Sequence, residues 1–430
     1  MEWIETKTTP QKEILKMTES PMDLFTDEIK ASVNEIEAMV KEEGDLALLK
    51  LTKRFDGVEL ENLRVPRSDF EDALASLSDE FFDALKRAKK NIEKYHQKQV
   101  RESFFTREEN GAILGQMISP IQRVGLYVPG GTAAYPSSVL MNGIPALLAG
   151  VEEIALISPP GKNGKVQPGV LAAAELLGID EVYAVGGAQA IFAMSYGTPS
   201  IRKVDKIVGP GNVYVTYAKK QVYGQVDIDM IAGPSEVLII ADEGQNPRFI
   251  AGDLLSQAEH DTMASAILIT PSKTLGEAVL AELDLQVKEL LRRDMAEKSL
   301  KNRGKIIITK DLDEAFALSN EFAPEHLEIL VSDPMTCLTK VKNAGCIFLG
   351  PYSPEPLGDY YAGTNHTLPT SGTAKYFSPL SVDDFIKKSS IVYYTKEGLK
   401  EAREDIGLLA DNEGLEAHKK AVDLRFEDDE

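Results

Sequence analysis

From about residue 120 the chain alternates short apolar runs with helix-length segments, and this alternation restricts the possible folds most strongly. VGLYVPGG, EEIALISPP, DEVYAVGG and DKIVGPGN end in glycine or proline turns. Between them lie PSSVLMNGIPALLAG, QPGVLAAAELLG and AQAIFAMSYG. Strands without polar alternation are buried on both faces, so the pattern predicts a parallel sheet with helices on either side. A second series follows: EVLIIAD, the helix PRFIAGDLLSQAEHD, SAILITPS, a long charged helix to about 302, KIIITKD, the helix DEAFALSNEF, HLEILVS and GCIFLG. The expectation is an α/β protein with two Rossmann-like, doubly wound domains side by side. They are incomplete in one respect, because the G-x-G-x-x-G fingerprint is missing: GPGNVY at 209–214 has Tyr214 in place of the third glycine.

Residues 1–110 read as helical, with apolar residues at three- and four-residue steps in TDEIKASVNEIEAMVKEEGDLALLKLTKRF and SDEFFDALKRAKKNIEKYHQ. After about 380 the chain turns acidic and helical again, with no core of its own, so this tail must pack on something else, such as another subunit. The predicted division is an N-terminal helical extension over 1–24, a discontinuous first α/β domain over 25–119 and 236–380, a second over 120–235, and a C-terminal helical tail over 381–430.

Composition excludes several classes of function. The balance of 47 basic against 68 acidic residues, a net charge of −21, opposes binding to nucleic acid or to an anionic membrane surface. The longest uncharged stretch, Gly125 to Val151, carries five glycines and three prolines, which suits loop–helix–loop better than a membrane span. The first residues lack the apolar core of a signal peptide. Two cysteines, Cys337 and Cys346, match no zinc or thioredoxin spacing and are consistent with a reducing cytoplasm.

Four turns, VPGGT (128–132), VGGAQA (185–190), GPGNVYVT (209–216) and AGPSE (232–236), fall at carboxyl ends of predicted strands. Ligands bind along that edge of an open α/β sheet, and amides opening the next helix favour anions. Ordinary turn chemistry would account for any one of them. Four of the five histidines lie after position 255, namely His260, His326, His366 and His418, while His96 sits in a surface-like run. Gln257 and His260 are three apart in a predicted helix and share a face. Asp359 and His366 lie in a glycine- and tyrosine-rich loop suited to binding. Gln257, His260, Asp359 and His418 would offer two nitrogens and two oxygens to zinc, manganese or a similar ion. Spacing alone does not assemble them, and each histidine by itself is as well explained by a structural hydrogen bond. Glu325 and His326, adjacent after Pro324, could supply two bases to one substrate; a surface acid beside a solvated histidine is the plainer explanation.

Taken in order, VGLYVPGG, GGAQAIFAMSYGT, VDKIVGPGN, IDMIAGPSE, DLLSQAEHD, FAPEHLEI, NAGCIFLG, GDYYAGTNHTLPT and EGLEAH resemble the histidinol dehydrogenases, from about residue 120 to 418. The resemblance implies a cytoplasmic homodimer with shared active sites and one zinc per subunit. It would oxidise L-histidinol to L-histidine through bound L-histidinaldehyde, reducing two NAD in succession. It implies Gln257, His260, Asp359 and His418 as zinc ligands, with His418 arriving from the other subunit. Glu325 and His326 become the catalytic bases. Ser235, His366 and Glu413 become substrate contacts beside Gln257, His260, His326, Asp359 and His418. Tyr127, Gln189 and Asn212 line the NAD site.

The chemistry agrees with these roles. Removing four electrons as two hydrides needs two NAD. His326 would take the hydroxyl proton, and Glu325 would deprotonate the water that hydrates the aldehyde. Zinc would orient the substrate imidazole and amine. Three other readings compete: a relative acting on another small alcohol such as a sulfonated diol, a zinc hydrolase, and a non-catalytic zinc protein. A thiohemiacetal on Cys346 is disfavoured by the expected burial of its strand.

Overall fold

Strands Arg123–Tyr127, Glu153–Ser158, Val182–Ala184, Lys206–Val208 and Asp227–Ile228 form an all-parallel sheet in the spatial order third, second, first, fourth, fifth. Strands Glu236–Ala241, Ser265–Thr270, Lys305–Ile308, His326–Leu330 and Cys346–Leu349 repeat that order, and Glu2–Glu5 adds a parallel edge strand beside Lys305–Ile308. The α/β class with parallel sheets is therefore as expected.

Both sheets are covered on both faces. Val124, Leu126 and Leu156 point into one core while Ala155, Ile157 and Tyr127 point into another. In the second sheet Val237 and Ile239 face one core, Leu238 and Ile240 the opposite one. Successive side chains of a strand point to opposite faces, so a strand buried on both sides must be apolar throughout.

The computed structural model describes residues 1–18, 25–130 and 135–427. Gly131 and Thr132 of the first glycine turn, residues 19–24 of the N-terminal extension and residues 428–430 of the tail fall outside them. The chain forms two compact units, Met1–Gln99 with Ile121–Phe385, and Val100–Pro120 with Ile386–Glu430. Both parallel sheets belong to the first. The second contains an antiparallel sheet ordered Ile386–Tyr393, Ile113–Pro120, Phe104–Arg107 and the helices Lys396–Asn412 and Glu416–Asp423. Few of its side chains are buried, Ala112, Ala410 and Phe426 among them, while Phe104, Phe105, Leu408 and Leu409 are exposed.

Several local expectations are corrected. The N-terminal stretch opens with a strand, and a second strand at Phe104–Arg107 interrupts the helical reading of 1–110. A four-residue edge strand carries too little periodicity to be read alone; its partner strand defines it. The charged helix to 302 is two helices, Lys273–Gln286 and Arg293–Asn302, separated where Val287 turns into the core. The tail is not all helical: it contains the strand Ile386–Tyr393. The helices between Asp27 and His96 share cores with the five-stranded sheet, which differs from grouping 25–119 with 236–380. His96 is buried, not surface-exposed: it continues the Leu85, Ala88, Ile92 stripe, and its Nδ1 lies 2.7 Å from Gln99 Oε1.

Candidate active site

The carboxyl ends of the five-stranded sheet and the amino ends of the six-stranded sheet border one cleft of about 640 Å³, lined by Asn212, Ser235, Gln257, His260, Glu325, His326, Asp359 and His366 among others. Three glycine-bearing turns follow strands of the first sheet. AGPSE instead leads into the amino end of Glu236–Ala241, and Glu325–His326 enters the amino end of the neighbouring strand. The carboxyl-edge rule for ligand sites therefore applies to one sheet only.

Gly209 illustrates how closely the cleft wall is built. Its φ is +121°, and a Cβ there would collide with the Tyr127 carbonyl oxygen. The turn after it is held by Asp229, whose carboxylate pairs with buried Lys219 and accepts the Gly209 N–H at 2.8 Å; Lys219 Nζ also donates to Gly209 O at 2.9 Å. Asn212 caps the following helix, its Oδ1 accepting from Tyr214 N and Val215 N.

His326 Nδ1 lies 3.0 Å from the Glu236 carbonyl oxygen. A carbonyl only accepts, so Nδ1 carries the proton and Nε2, 3.6 Å from Asp359 Oδ1, is the nitrogen available for proton transfer. Burial alone would lower the His326 pKa, but the Glu325 and Asp359 carboxylates raise it well above its ordinary value. Burial pushes the Glu325 carboxyl up to about 8, against the opposing effect of His326. Burial would raise Asp359 as well, yet the nearby His326 imidazole, 3.6 Å away, brings it to about 2. Neighbouring carboxyls thus occupy opposite ends of the scale, as acid–base sites require.

Ligand atoms of His260, Glu355 and Asp359 all lie within 4.8 Å of one another. Gln257 faces the same cleft, fully buried, with neither amide atom hydrogen-bonded. A buried amide without partners is costly unless a ligand satisfies it. The donor set of imidazole nitrogen, carboxylate oxygen and amide oxygen suits zinc.

A family model for histidinol dehydrogenase matches residues 21–426. The chain belongs to the histidinol dehydrogenase family. Membership makes it an NAD-dependent oxidoreductase of histidine biosynthesis. It is 56% identical over 402 residues to the histidinol dehydrogenase of Listeria monocytogenes serotype 4b, covering 94% of each chain. It is 54% identical over 415 residues to that of Bacillus cereus, covering 96% of each. The crystal structure of histidinol dehydrogenase from Elizabethkingia anophelis superposes with a TM-score of 0.94 at 40% identity, covering all of this chain and 98% of the other.

The structure places the family's expected residues unevenly. Gln257, His260, Glu325, His326, Asp359, His366, Ser235 and Asn212 meet in the cleft. His418 and Glu413 belong to the second unit and are exposed there. Tyr127 is buried with its hydroxyl accepting the Gly187 N–H at 3.1 Å, and burial raises it to about 12. Gln189 is buried with Oε1 unpartnered.

Two placements differ from the sequence reading. His260 lies just beyond the helix Pro247–Ala258, where its N–H bonds Gln257 O at 3.2 Å, so a turn rather than a helix face joins them. Asp359 sits in the short helix Glu355–Tyr360 rather than a loop. His366 has both ring nitrogens engaged, Nδ1 3.0 Å from Asp359 O and Nε2 3.2 Å from Ser138 Oγ.

Cys346 is half-buried on the edge strand rather than fully enclosed, and burial raises its thiol, which opposes a nucleophilic role. Glu355 was not singled out from sequence. It precedes Asp359 by four residues behind Pro354, so helical spacing already put both carboxyls on one face. Its Oε2 accepts from Ser256 Oγ at 2.7 Å.

Proposed function

We propose that the chain oxidises L-histidinol to L-histidine through L-histidinaldehyde, reducing two NAD in succession. The observation that carries this is the meeting of Glu325 and His326 with Gln257, His260 and Asp359 in one cleft. Zinc would be held by Gln257, His260 and Asp359, with His418 of the partner subunit completing the set, and would orient the imidazole and amine of the substrate. NAD supplies the hydride acceptor for each oxidation.

His326, with Nδ1 committed to the Glu236 carbonyl, presents Nε2 to the alcohol and takes its proton as hydride leaves. Water then adds to the aldehyde. Glu325 takes a proton from that water, and His326 takes the second as the hydrate loses hydride. The balance is four electrons to two NAD and three protons released. Ser235, His366 and the partner's Glu413 hold the substrate. Tyr127, Gln189 and Asn212 shape the nicotinamide side.

A homodimer with exchanged residues accounts for the second unit's exposed aromatic and leucine side chains. NADH formed per histidinol consumed, with and without chelator, tests the reading: two, abolished by metal removal, is expected. One per substrate would remove the second oxidation. Mixing His418→Ala with Gln257→Ala subunits should restore activity, and no recovery would refute the shared site.

A further inference from the structure

Glu236 touches both groups assigned to catalysis. Its N–H donates to Glu325 Oε2 at 2.8 Å, and its carbonyl accepts from His326 Nδ1 at 3.0 Å. The two ends of one peptide residue therefore set the direction of the carboxylate and of the imidazole. A base must be held within a fraction of an ångström of its target, so whatever fixes this peptide fixes the geometry of both proton transfers.

The Glu236 side chain does the fixing. Its Oε1 accepts the Ser371 N–H at 3.2 Å. Ser371 has φ +56°, the left-handed region, and a buried Oγ without a partner. A serine keeps that conformation only where its surroundings hold it, and the Glu236 carboxyl is one of those holds. The charged groups facing Glu236 are Glu325, His326 and Arg303.

We infer that Glu236 is a positioning residue for both oxidations, aligning Glu325 and His326 through its peptide group while its carboxyl anchors that peptide. The inference rests on the reading of Glu325 and His326 as the catalytic pair. Electrostatics give it a second consequence. Burial pushes the Glu236 carboxyl up to about 7, and its charge contributes to the elevation of Glu325. An amide at 236 removes that charge while keeping an acceptor oxygen for the Ser371 N–H.

The test uses the zinc-loaded enzyme with Glu236→Ala and Glu236→Gln, measuring oxidation of histidinol and of added histidinaldehyde separately across pH. For Glu236→Ala, kcat should fall about a hundredfold in both oxidations with KM for histidinol within about threefold, the signature of misaligned proton transfer. Glu236→Gln should recover part of the histidinol kcat. It should also move the acid limb of aldehyde oxidation down by about half a pH unit or more, because Glu325 loses a neighbouring negative charge. If Glu236→Ala does not fold, the Glu236→Gln pH profile decides. Wild-type kcat in both variants overturns the inference. So does a loss of activity matched by loss of folded protein, with the pH limb unmoved. Glu325→Gln with undiminished aldehyde oxidation would instead sink the underlying catalytic assignment, and the role of Glu236 towards Glu325 with it.

Discussion

Glu328 Oε1 accepts the Glu355 backbone N–H at 2.9 Å, tying the strand that begins at His326 to the short helix that carries Asp359. Glu328 is fully buried, and its carboxyl interacts electrostatically with that of Asp253, one turn before Gln257 on the helix Pro247–Ala258. Burial raises Glu328 well above its usual range and Asp253 to about 6. The strand and the short helix, which carry residues proposed for catalysis and metal binding, are thereby braced to each other. Glu328→Ala leaves the buried Glu355 N–H without a partner and should destabilise the fold by about 1–3 kcal/mol. It should also speed zinc loss to a chelator. Glu328→Gln, which keeps an acceptor and a donor, should restore both. Denaturant unfolding and zinc release measure the two effects, and equal behaviour of Ala and Gln would refute the brace.

His326→Ala should reduce both oxidations by about 10²–10⁴, the usual range for loss of a general base. Glu325→Gln should reduce aldehyde oxidation by a similar factor and leave histidinol oxidation to the aldehyde within about tenfold. Single-turnover formation of NADH from each substrate separates the steps. Equal losses on both substrates would show that Glu325 does more than activate water.

The buried Lys219–Asp229 pair fixes the Gly209–Asn212 turn that faces the cleft. Asp229→Ala strands a buried ammonium and should cost about 3–5 kcal/mol. On the proposed placement of NAD beside Asn212, KM for NAD should rise more than KM for histidinol. Steady-state kinetics with each substrate varied would show this, and a larger effect on histidinol would contradict it.

Several buried carboxyls bind protons more tightly folded than unfolded. Glu236 is raised from 4.5 to about 7 and Glu325 from 4.5 to about 8, both chiefly by burial. Between their unfolded and folded values the native state holds more protons, so stability falls as pH rises through this interval. His326, also raised, adds the same sign: its contribution is full at low pH and is lost as pH rises. Asp359, lowered to about 2, loses its contribution only in strong acid. With metal chelated, the melting temperature should therefore be higher near pH 5 than near pH 8, values spanning these raised carboxyls. Glu236→Gln should flatten the dependence. A melting temperature that climbs over the same range would reverse the sign of the argument.

Strand–helix alternation by itself determined the α/β class, both parallel sheets and nearly every central strand, because a strand covered on two faces must be apolar throughout. It did not reveal Glu2–Glu5 or Phe104–Arg107, whose four residues become strands only through their partners. His96, read as surface-like, is corrected by the Leu85–Ala88–Ile92 stripe it extends, a helical periodicity that is local and therefore present in the sequence. Residue types and their order, read through family resemblance, named Gln257, His260, Glu325, His326 and Asp359. What they could not supply was the meeting of amino strand ends from one sheet with carboxyl ends from the other. Nor could they supply the bonds from Glu236 and Glu328 to groups about ninety and about thirty residues away. Hydrogen bonds to backbone atoms leave no periodic trace in a sequence. They arise only when packed sheets bring distant peptide groups within about 3 Å.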